Sequence, residues 1–225
     1  MKPWQKGRTI SKWLPISREG WPFIGGGTAV TVLLALLLHP VAAVPALVLT
    51  LYFTYFFRSP RRHIPCNENW ILSPGDGTVM EIADLDADEE NFIAGRCCKI
   101  IIFMSVFDVH VNRSPSSGII RYEKYSCGRF RPAYKDDVGF VNEQHLLGIE
   151  TAHFRITVKQ IAGILARRIV SYVSLGEKIR QGTLYGMIKF GSCLEVVLPQ
   201  EMELRVHQGE RVKGGETVLA VWPKQ

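Results

Sequence analysis

Gly191 and Ser192 form the pair of residues whose types and position could do chemistry. They lie between two short apolar runs in "IKFGSCLEVVLP", residues 188–199, although glycine and serine weaken a strand. A Gly-Ser pair alone is typical of a turn or a bulge. Glycine inside a strand also permits strained torsions, which would let the neighbouring hydroxyl approach the preceding carbonyl. The position of the pair therefore favours a reactive peptide bond.

The reaction open to this pair is self-cleavage. Ser192 Oγ attacks the carbonyl carbon of Gly191 and turns the amide into an ester, which needs a base for the hydroxyl and donors for the oxyanion. Elimination across Cα and Cβ of Ser192 releases the chain that ends at Gly191. The dehydroalanine left behind tautomerises and loses ammonia, so that a pyruvoyl group caps the piece that begins at position 192. The protein would thus make its own carbonyl cofactor.

Residues 1–62 have the composition of a membrane-associating segment. Residues 23–57 contain no Lys, Arg, Asp or Glu. As one straight helix they would reach roughly 52 Å, well beyond a hydrocarbon core of about 30 Å. A break is expected at His39 and Pro40, because proline removes a helix hydrogen bond and clashes with the preceding turn. The sequence predicts a helical hairpin with arms of about 16 or 17 residues.

Basic residues flank the apolar segment on both sides and favour a location at the cell membrane, with both flanks on the cytoplasmic side. The formal net charge of +6 also favours an anionic partner. The basic residues are scattered and show no aromatic RNA-binding pattern, so no nucleic-acid partner is expected. The flanking residues are Lys2, Lys6, Arg8, Lys12 and Arg18 before the segment, and Arg58, Arg61 and Arg62 after it.

Residues 63–225 are predicted to form a mainly β catalytic domain, because short β-branched and aromatic runs alternate with Gly, Pro, Asn and Asp. The acidic stretch "DLDADEE" at 84–90 is predicted to be a solvated turn. The strands expected are 70–72, 77–82, 99–104, 118–125, 146–151, 154–161, 169–172, 183–188, 194–198 and 217–222.

An internal repeat adds detail to this fold class. "GEKIRQG" at 176–182 returns as "GERVKGG" at 209–215. Two related half-units predict a small barrel or sandwich with pseudo-twofold halves, similar to lipoyl and biotinyl carrier domains. Those domains attach a cofactor to a lysine in the hairpin between the halves, where this chain has Gly191 and Ser192.

Five cysteines, an odd number, include the neighbours Cys97 and Cys98. They have no CxxC or Cys/His ligand spacing. Reduced thiols in a cytoplasmic setting are expected, and no metal site is predicted.

Several motifs in order resemble one family over almost the whole chain. They are "GWPFI" at the start of the broken apolar segment, "YFFRSPRRHIP" at its end, "SPGDGTV" at 73–79, "MSVFDVHVNRSP" at 104–115 and "FGSCLEVVLP". This set resembles the short, membrane-associated bacterial and archaeal form of phosphatidylserine decarboxylase, a pyruvoyl-dependent enzyme made as a proenzyme. The ordered set is far more specific than any one motif.

The resemblance implies an activity and a set of roles. The Gly191–Ser192 bond would be cut into a large chain of residues 1–191 and a small chain of residues 192–225. The pyruvoyl made from Ser192 would form a Schiff base with a serine phospholipid, and decarboxylation would yield phosphatidylethanolamine and CO2. Asp76 would support maturation by orienting a base, and His110 would transfer protons at the reacting centre.

The chain departs from the longer enzymes at one position. Those enzymes have a second histidine three residues after the first, where this chain has Arg113. The base for self-cleavage therefore stays open between His110 and His145, the latter folding beside Asp76. Arg113 could instead hold the lipid phosphate or the substrate carboxylate, since its planar fork suits both.

Two other classes of function are compatible with parts of the sequence. One is a membrane-bound serine hydrolase in which Lys189 or His110 activates Ser192. The other is a non-enzymatic membrane adaptor built on lipoyl-like halves. Both predict an uncut chain. The sequence does not determine whether the protein is a monomer or a homo-oligomer.

Overall fold

A computed structural model describes residues 15–87, 92–93, 95–128, 142–163, 168–189 and 192–223. The chain divides into two compact units, Met1–Arg61 and Arg62–Gln225. The first is helical and the second is built from strands. The mainly β class with an apolar helical N-terminus is therefore confirmed.

The N-terminal unit contains a helical hairpin. A short 3₁₀ turn at Arg18–Gly20 leads into helix α1, Trp21–Leu37, and helix α2 follows at Pro40–Phe56. The break lies at the predicted place: His39 has extended backbone torsions, and its Nδ1 accepts a hydrogen bond of 3.2 Å from the Val41 amide. Pro40 begins α2, where a missing N–H costs no helix hydrogen bond.

The surface of this hairpin is apolar. Leu36, Leu37 and Val41 are each more than two-thirds exposed. The two helices pack through rings, with the centroids of Phe23 and Phe53 5.4 Å apart. The segment Arg18–Leu37 is long and apolar enough to cross a membrane, whereas α2 is shorter.

The second unit contains fourteen strands among the described residues. All ten predicted strands are present, with ends shifted by a few residues. The short strands β4, β9, β12 and β13 were not predicted, because two or three residues carry too little periodicity. The strands are β1 Trp70–Leu72, β2 Gly77–Ala87, β3 Gly95–Met104, β4 Val111–Arg113, β5 Gly118–Ser126, β6 Gln144–Glu150, β7 Arg155–Ala162, β8 Arg168–Ser171, β9 Lys178–Ile179, β10 Leu184–Lys189, β11 Ser192–Pro199, β12 Glu203–Leu204, β13 Arg211–Val212 and β14 Val218–Val221.

Eight strands form one curled, half-barrel sheet in the order β13-β2-β3-β11-β7-β6-β5-β9. Two three-stranded sheets complete the unit, β1-β14-β12 and β4-β10-β8. All the pairings between these strands are antiparallel. Because antiparallel neighbours alternate their side chains between two faces, one face of the large sheet can bury a continuous apolar core. Ile102, Leu147, Ile156, Leu194 and Val196 belong to that core.

The acidic stretch differs from its prediction. Strand β2 runs on through Asp84, Leu85 and Asp86, which pair with Cys98, Cys97 and Arg96 of β3. The turn predicted for these residues is therefore wrong, because strand pairing with β3 overrides the local preference of the acidic side chains. Residues 88–90 of the stretch lie outside the described residues.

The two copies of the sequence repeat adopt the same local form. Each has a two-residue strand, β9 or β13, with glycines of positive φ on both sides: 81° and 75° at Gly176 and Gly182, 87° and 79° at Gly209 and Gly215. Such torsions are strained for other residues. The two copies form the opposite edges of the eight-stranded sheet. A pseudo-twofold relation between larger halves stays a prediction.

Candidate active site

Ser192 begins the central strand β11 and is fully buried. It pairs with Met104 of β3 on one side and with Ala162 of β7 on the other. The hydroxyl donates a hydrogen bond of 3.4 Å to the thioether sulfur of Met104. Gly191, the other half of the predicted cleavage site, lies outside the described residues. The nucleophile of the predicted reaction thus lies at one end of the buried central strand.

His110 is fully buried in the segment that leads from β3 to β4. Its Nδ1 lies 2.9 Å from the backbone oxygen of Asp108. A carbonyl oxygen only accepts, so Nδ1 carries a proton and Nε2 is the basic nitrogen of the neutral ring. The backbone oxygen of His110 accepts a bond of 3.3 Å from the amide of Ile188 on β10. His110 is thus anchored beside the strand that leads, four residues later, to Ser192.

Asp108 fixes the turn that carries His110. Its carboxylate accepts from the Ser105 amide at 2.8 Å and pairs with the guanidinium of Arg211 on β13. This ion pair raises the pKa of Arg211. Asp108 was not singled out from the sequence, although a carboxylate two residues before His110 in "FDVH" was a detectable signal.

The "SPGDG" loop packs onto the same end of the sheet. A Cβ added to Gly75 would come within 3.2 Å of Asn112 Nδ2 and 3.3 Å of Met104 Cε. Only a residue without a side chain allows the loop backbone to approach this closely. The neighbouring backbone also holds the loop to β4, since Arg113 N donates to Pro74 O at 2.8 Å. The loop is therefore more than a solvated turn.

Asp76, at the tip of this loop, is held by a salt bridge with Arg62. The Arg62 Nη2 atom lies 2.9 and 2.6 Å from the two carboxylate oxygens of Asp76. Asp76 Oδ1 also accepts from the Gly214 amide at 2.8 Å. Arg62 extends to Glu216 at 3.5 Å as well. Burial raises the pKa of Glu216, but the His63 amide and the Arg62 charge outweigh it and lower that pKa below its usual range.

Arg113 lies near the same charges. Its Nη1 donates to the Gly182 backbone oxygen at 3.0 Å, and the residue is only 9% exposed. Burial, followed by the neighbouring charge of Arg62, lowers the pKa of Arg113, while Asp76 and Glu216 act in the opposite direction. Two guanidinium groups and two carboxylates therefore share one partly buried region.

His145 lies elsewhere on the sheet, in β6. Its Nε2 contacts Glu123 Oε1 at 2.9 Å, and its Nδ1 contacts Gln160 Oε1 at 3.2 Å. Both ring nitrogens are thus engaged away from Asp76, whose carboxylate is held by Arg62 and Gly214. The structure does not bring His145 and Asp76 together.

Cys193 points away from the face that carries Ser192 and packs with Ile161 and Ile101. Burial raises the pKa of its thiol to about 12. Cys193 is therefore a packing residue. Among the described residues, no three His, Cys, Asp or Glu side chains are grouped as metal ligands.

Several known proteins have similar sequences over almost the whole length of this chain. A sequence model of the family described as phosphatidylserine decarboxylase matches residues 49–220. The phosphatidylserine decarboxylase proenzyme of Symbiobacterium thermophilum is 43% identical over 210 residues, which cover 93% of this chain and 96% of the relative. The proenzyme of Carboxydothermus hydrogenoformans is 44% identical over 207 residues, with 92% and 96% covered. That of Citrifermentans bemidjiense is 44% identical over 216 residues, with 93% and 97% covered.

The chain belongs to the phosphatidylserine decarboxylase family. The family resemblance predicted from the ordered motifs is thereby confirmed. The name proenzyme, which these relatives carry, describes a chain that is processed after synthesis.

Several residues around the site were not predicted from the sequence. Arg62 was counted only as a basic flank, and Met104, Asn112 and Gln160 were not singled out. Gln160 had a detectable signal: in "RITVKQIA" it occupies the face on which Ile156, Val158 and Ala162 are buried. A polar residue on such a face needs an explanation.

Proposed function

We propose that this enzyme decarboxylates phosphatidylserine, or a closely related serine phospholipid, to phosphatidylethanolamine and CO2. Before that, it cleaves itself between Gly191 and Ser192 into chains of residues 1–191 and 192–225. Family membership supports the activity. The observation that carries the site is the buried hydroxyl of Ser192, which lies at the start of a central strand and bonds to Met104, the residue on which the "SPGDG" loop packs.

Self-cleavage uses atoms of the chain alone until the last step. The Ser192 hydroxyl adds to the Gly191 carbonyl, the C–N bond breaks and an ester forms. Loss of the Cα proton of Ser192 then breaks the Cβ–O bond, and the large chain leaves with a carboxylate at Gly191. Water hydrolyses the remaining enamine and ammonia departs, which leaves a ketone at position 192. A thioether is a weak acceptor, so Met104 retains the Ser192 hydroxyl without strongly opposing its rotation.

The surroundings of position 192 fit a small carbonyl group. Met104 and Ala162 flank it across the two neighbouring strands, and both are fully buried. The amide of Asn112 donates to the same sulfur as Ser192 and is a hydrogen-bond donor near that position. A ketone formed here supplies the electron sink that decarboxylation of an amino acid requires. These three side chains would hold the group and exclude water.

His110 is proposed to return a proton to the substrate Cα after CO2 has left. The hydrogen bond to Asp108 O fixes the ring tautomer, so that Nε2 is the nitrogen that accepts and delivers a proton. A fully buried imidazole keeps one orientation, which favours efficient transfer. With His145 engaged by Glu123 and Gln160, His110 is also the better candidate for the base of self-cleavage.

Asp76 and Arg113 are proposed to support the site from the "SPGDG" side. Asp76 holds its loop against Met104 and Asn112 through its bonds to Arg62 and Gly214. Arg113 is proposed to bind the carboxylate or phosphate of the lipid, because its guanidinium suits planar, bidentate recognition. Arg113→Lys should then raise KM for the lipid and leave self-cleavage unchanged.

Residues 1–62 are proposed to attach the catalytic domain, residues 63–225, to the cytoplasmic side of the membrane. The exposed apolar helices and the basic flanks support this orientation. A membrane location brings the lipid headgroup within reach of a soluble domain. Anionic phosphatidylserine and the basic chain also agree in sign.

Intact mass spectrometry of the purified enzyme tests the proposal. We expect a large chain ending at Gly191 and a small chain beginning at position 192 with a carbonyl-containing terminus. Ser192→Ala should give one uncut chain that releases no labelled CO2 from phosphatidylserine. Ser116→Ala, which removes another buried hydroxyl, is the matched control and should cleave normally.

Two outcomes would contradict the proposal. An active but uncut chain that forms a covalent adduct with an acylating inhibitor at Ser192 would indicate a serine hydrolase. An uncut chain without decarboxylase activity would indicate an adaptor. The family match favours neither.

A further inference from the structure

A chain of polar side chains crosses the core from Ser192 toward the surface. Ser192 Oγ and Asn112 Nδ2 both donate to Met104 Sδ, at 3.4 and 3.9 Å. Gln160 Nε2 donates to Asn112 Oδ1 at 2.7 Å. Gln160 Oε1 in turn faces His145 Nδ1 at 3.2 Å. These five side chains lie on five strands and connect the large sheet with the β4-β10-β8 sheet.

The outer end of this chain is Glu123. Its Oε1 contacts His145 Nε2 at 2.9 Å, and its Oε2 accepts from the Leu175 amide at 3.2 Å. The side chain of Glu123 is 31% exposed, whereas that of His145 is 3% exposed. Both nitrogens of the histidine ring therefore face oxygen acceptors, one of them a carboxylate near solvent. The surface end of the chain is fixed by a charged group and by backbone.

The interior members of this chain of side chains, Asn112 and Gln160, lie in the core, where burial of a polar group costs free energy. Asn112 and Gln160 are both 0% exposed. A buried amide that loses its partner is destabilising, so a fully connected set is required or none at all. The fold also makes room for it: a Cβ on Gly186 would come within 2.9 Å of Gln160 Nε2 and 2.6 Å of Val170 O. An apolar residue at position 160 would fill this core more simply.

The directions of the hydrogen bonds show what this chain of side chains can transmit. Two donors, from Ser192 and Asn112, converge on one sulfur. A thioether has no proton to pass on, so this chain of side chains cannot carry a proton from Ser192 to His145. It can instead fix the orientation of each side chain by that of its neighbour. With Gln160 fixed by its contact with His145, its amide fixes Asn112, and Asn112 holds the sulfur that receives the Ser192 hydroxyl.

We propose that Asn112 and Gln160 are positioning residues for self-cleavage, which hold Met104 and thereby place the Ser192 hydroxyl in its reactive orientation. The inference rests on the proposed function, since it assigns roles within that reaction. Neither residue exchanges protons with Ser192. They increase the fraction of time during which the Ser192 hydroxyl faces the Gly191–Ser192 peptide bond.

Cell-free synthesis of the full chain in lipid vesicles, followed over time on a denaturing gel, tests this inference. Gln160→Met keeps the side-chain length and removes the amide. Asn112→Leu removes the donor to Met104. Each is expected to slow the appearance of the two fragments by at least tenfold. Gln144→Met, on the same sheet but outside this chain of contacts, is the matched control and should cleave at the rate of the unaltered chain.

Hydroxylamine supplies a readout that a merely structural role would not change. It cuts an ester at neutral pH and leaves an amide intact, so brief treatment reports how often the Ser192 ester forms. We expect hydroxylamine-dependent cleavage to fall in Gln160→Met in parallel with the loss of spontaneous cleavage at temperatures at which the variant is folded, although the loss of two buried hydrogen bonds should lower its thermal unfolding midpoint by several degrees. If Asn112→Leu does not fold, Asn112→Asp has the same shape, presents an oxygen to the sulfur and should show the same loss.

Folded Gln160→Met and Asn112→Asp chains that cleave at the unaltered rate would overturn the inference. That result leaves the proposed function standing, provided the unaltered chain is cut and Ser192→Ala is not. An unaltered chain that stays whole would overturn the proposed function itself.

Discussion

Arg62 Nη2 contacts both carboxylate oxygens of Asp76, at 2.9 and 2.6 Å, fourteen residues apart in sequence. The pair links the first residue of the strand-rich unit to the loop that packs on Met104. Its side chains are 10% and 16% exposed, so removal of either partner leaves a largely desolvated charge.

Arg62→Gln should therefore lower the free energy of unfolding by about 2–3 kcal/mol. The matched control is Arg205→Gln, which breaks an arginine–glutamate pair whose side chains are 51% and 62% exposed. That change should cost at most about 0.5 kcal/mol. Denaturant unfolding of Ser192→Ala chains measures both without interference from cleavage. Equal costs would contradict a structural role for the Arg62–Asp76 pair.

His110→Gln should slow self-cleavage, and in the chains that are cleaved it should reduce decarboxylation by a factor of about 10²–10⁴, the usual contribution of a positioned acid or base. The cleaved fraction is determined first by mass, and release of labelled CO2 is then normalised to it. His153→Gln changes a histidine that lies exposed in a turn and should leave turnover unchanged. Undiminished turnover in His110→Gln would exclude this residue as the proton donor.

The two fragments should stay together after self-cleavage. The small chain supplies β11, which is hydrogen-bonded to β3 and β7, and its Leu194, Val196 and Leu198 are fully buried. Each such side chain contributes about 1.5–3 kcal/mol of burial free energy. Size exclusion in mild detergent should give one peak that contains both fragments, and only denaturant should separate them. A small fragment that elutes alone in native buffer would contradict the observed sheet order.

Cys193 should resist alkylation in the folded protein. A pKa raised to about 12 leaves only about 0.1% of this thiol as the reactive thiolate at pH 9, and burial also blocks the reagent. Because the pKa is raised, reactivity should increase only as the pH approaches 12. Iodoacetamide at pH 9 should label the exposed Cys66 and Cys127 within minutes, whereas Cys193 should react only after denaturation. Peptide mass mapping distinguishes the three sites.

Charges placed on helix α1 should weaken membrane attachment. Val30 and Leu33 are about half exposed in the middle and second half of the helix, and an arginine near the bilayer centre costs about 2.5–3.5 kcal/mol. The double change Val30→Arg and Leu33→Arg should release the enzyme from carbonate-washed membranes, while Val30→Leu should not. Retention of the double variant would indicate that residues outside α1 provide the attachment.

Local patterns were enough to predict much of this protein. Pro40 placed the break between the two helices, and apolar alternation located the longer strands. Ser192 was singled out because a strand-breaking pair inside an apolar run is unusual. Each of these three predictions depends only on residues that are neighbours in the sequence.

Contacts between distant residues were not predictable in this way. Gln160 and Asn112 are 48 positions apart, and they meet only because β4 packs across β7. The partner of Asp76 could not be chosen from the sequence either, since Arg62 and the histidines were all plausible by charge. Such pairings depend on strand register and sheet order, which one sequence read alone does not specify.

The repeat at the two borders of the large sheet has a consequence for a protein made near a crowded membrane. A sheet that ends in a long, flat strand offers unsatisfied amides and carbonyls to any other chain. Here a strand of only two residues, closed on both sides by glycine turns, pairs with the beginning of β2 at Gly77 and Thr78, and another pairs with the beginning of β5 at Gly118 and Ile119. At these two points the duplicated segment protects the curled, open sheet from addition of strands from other molecules.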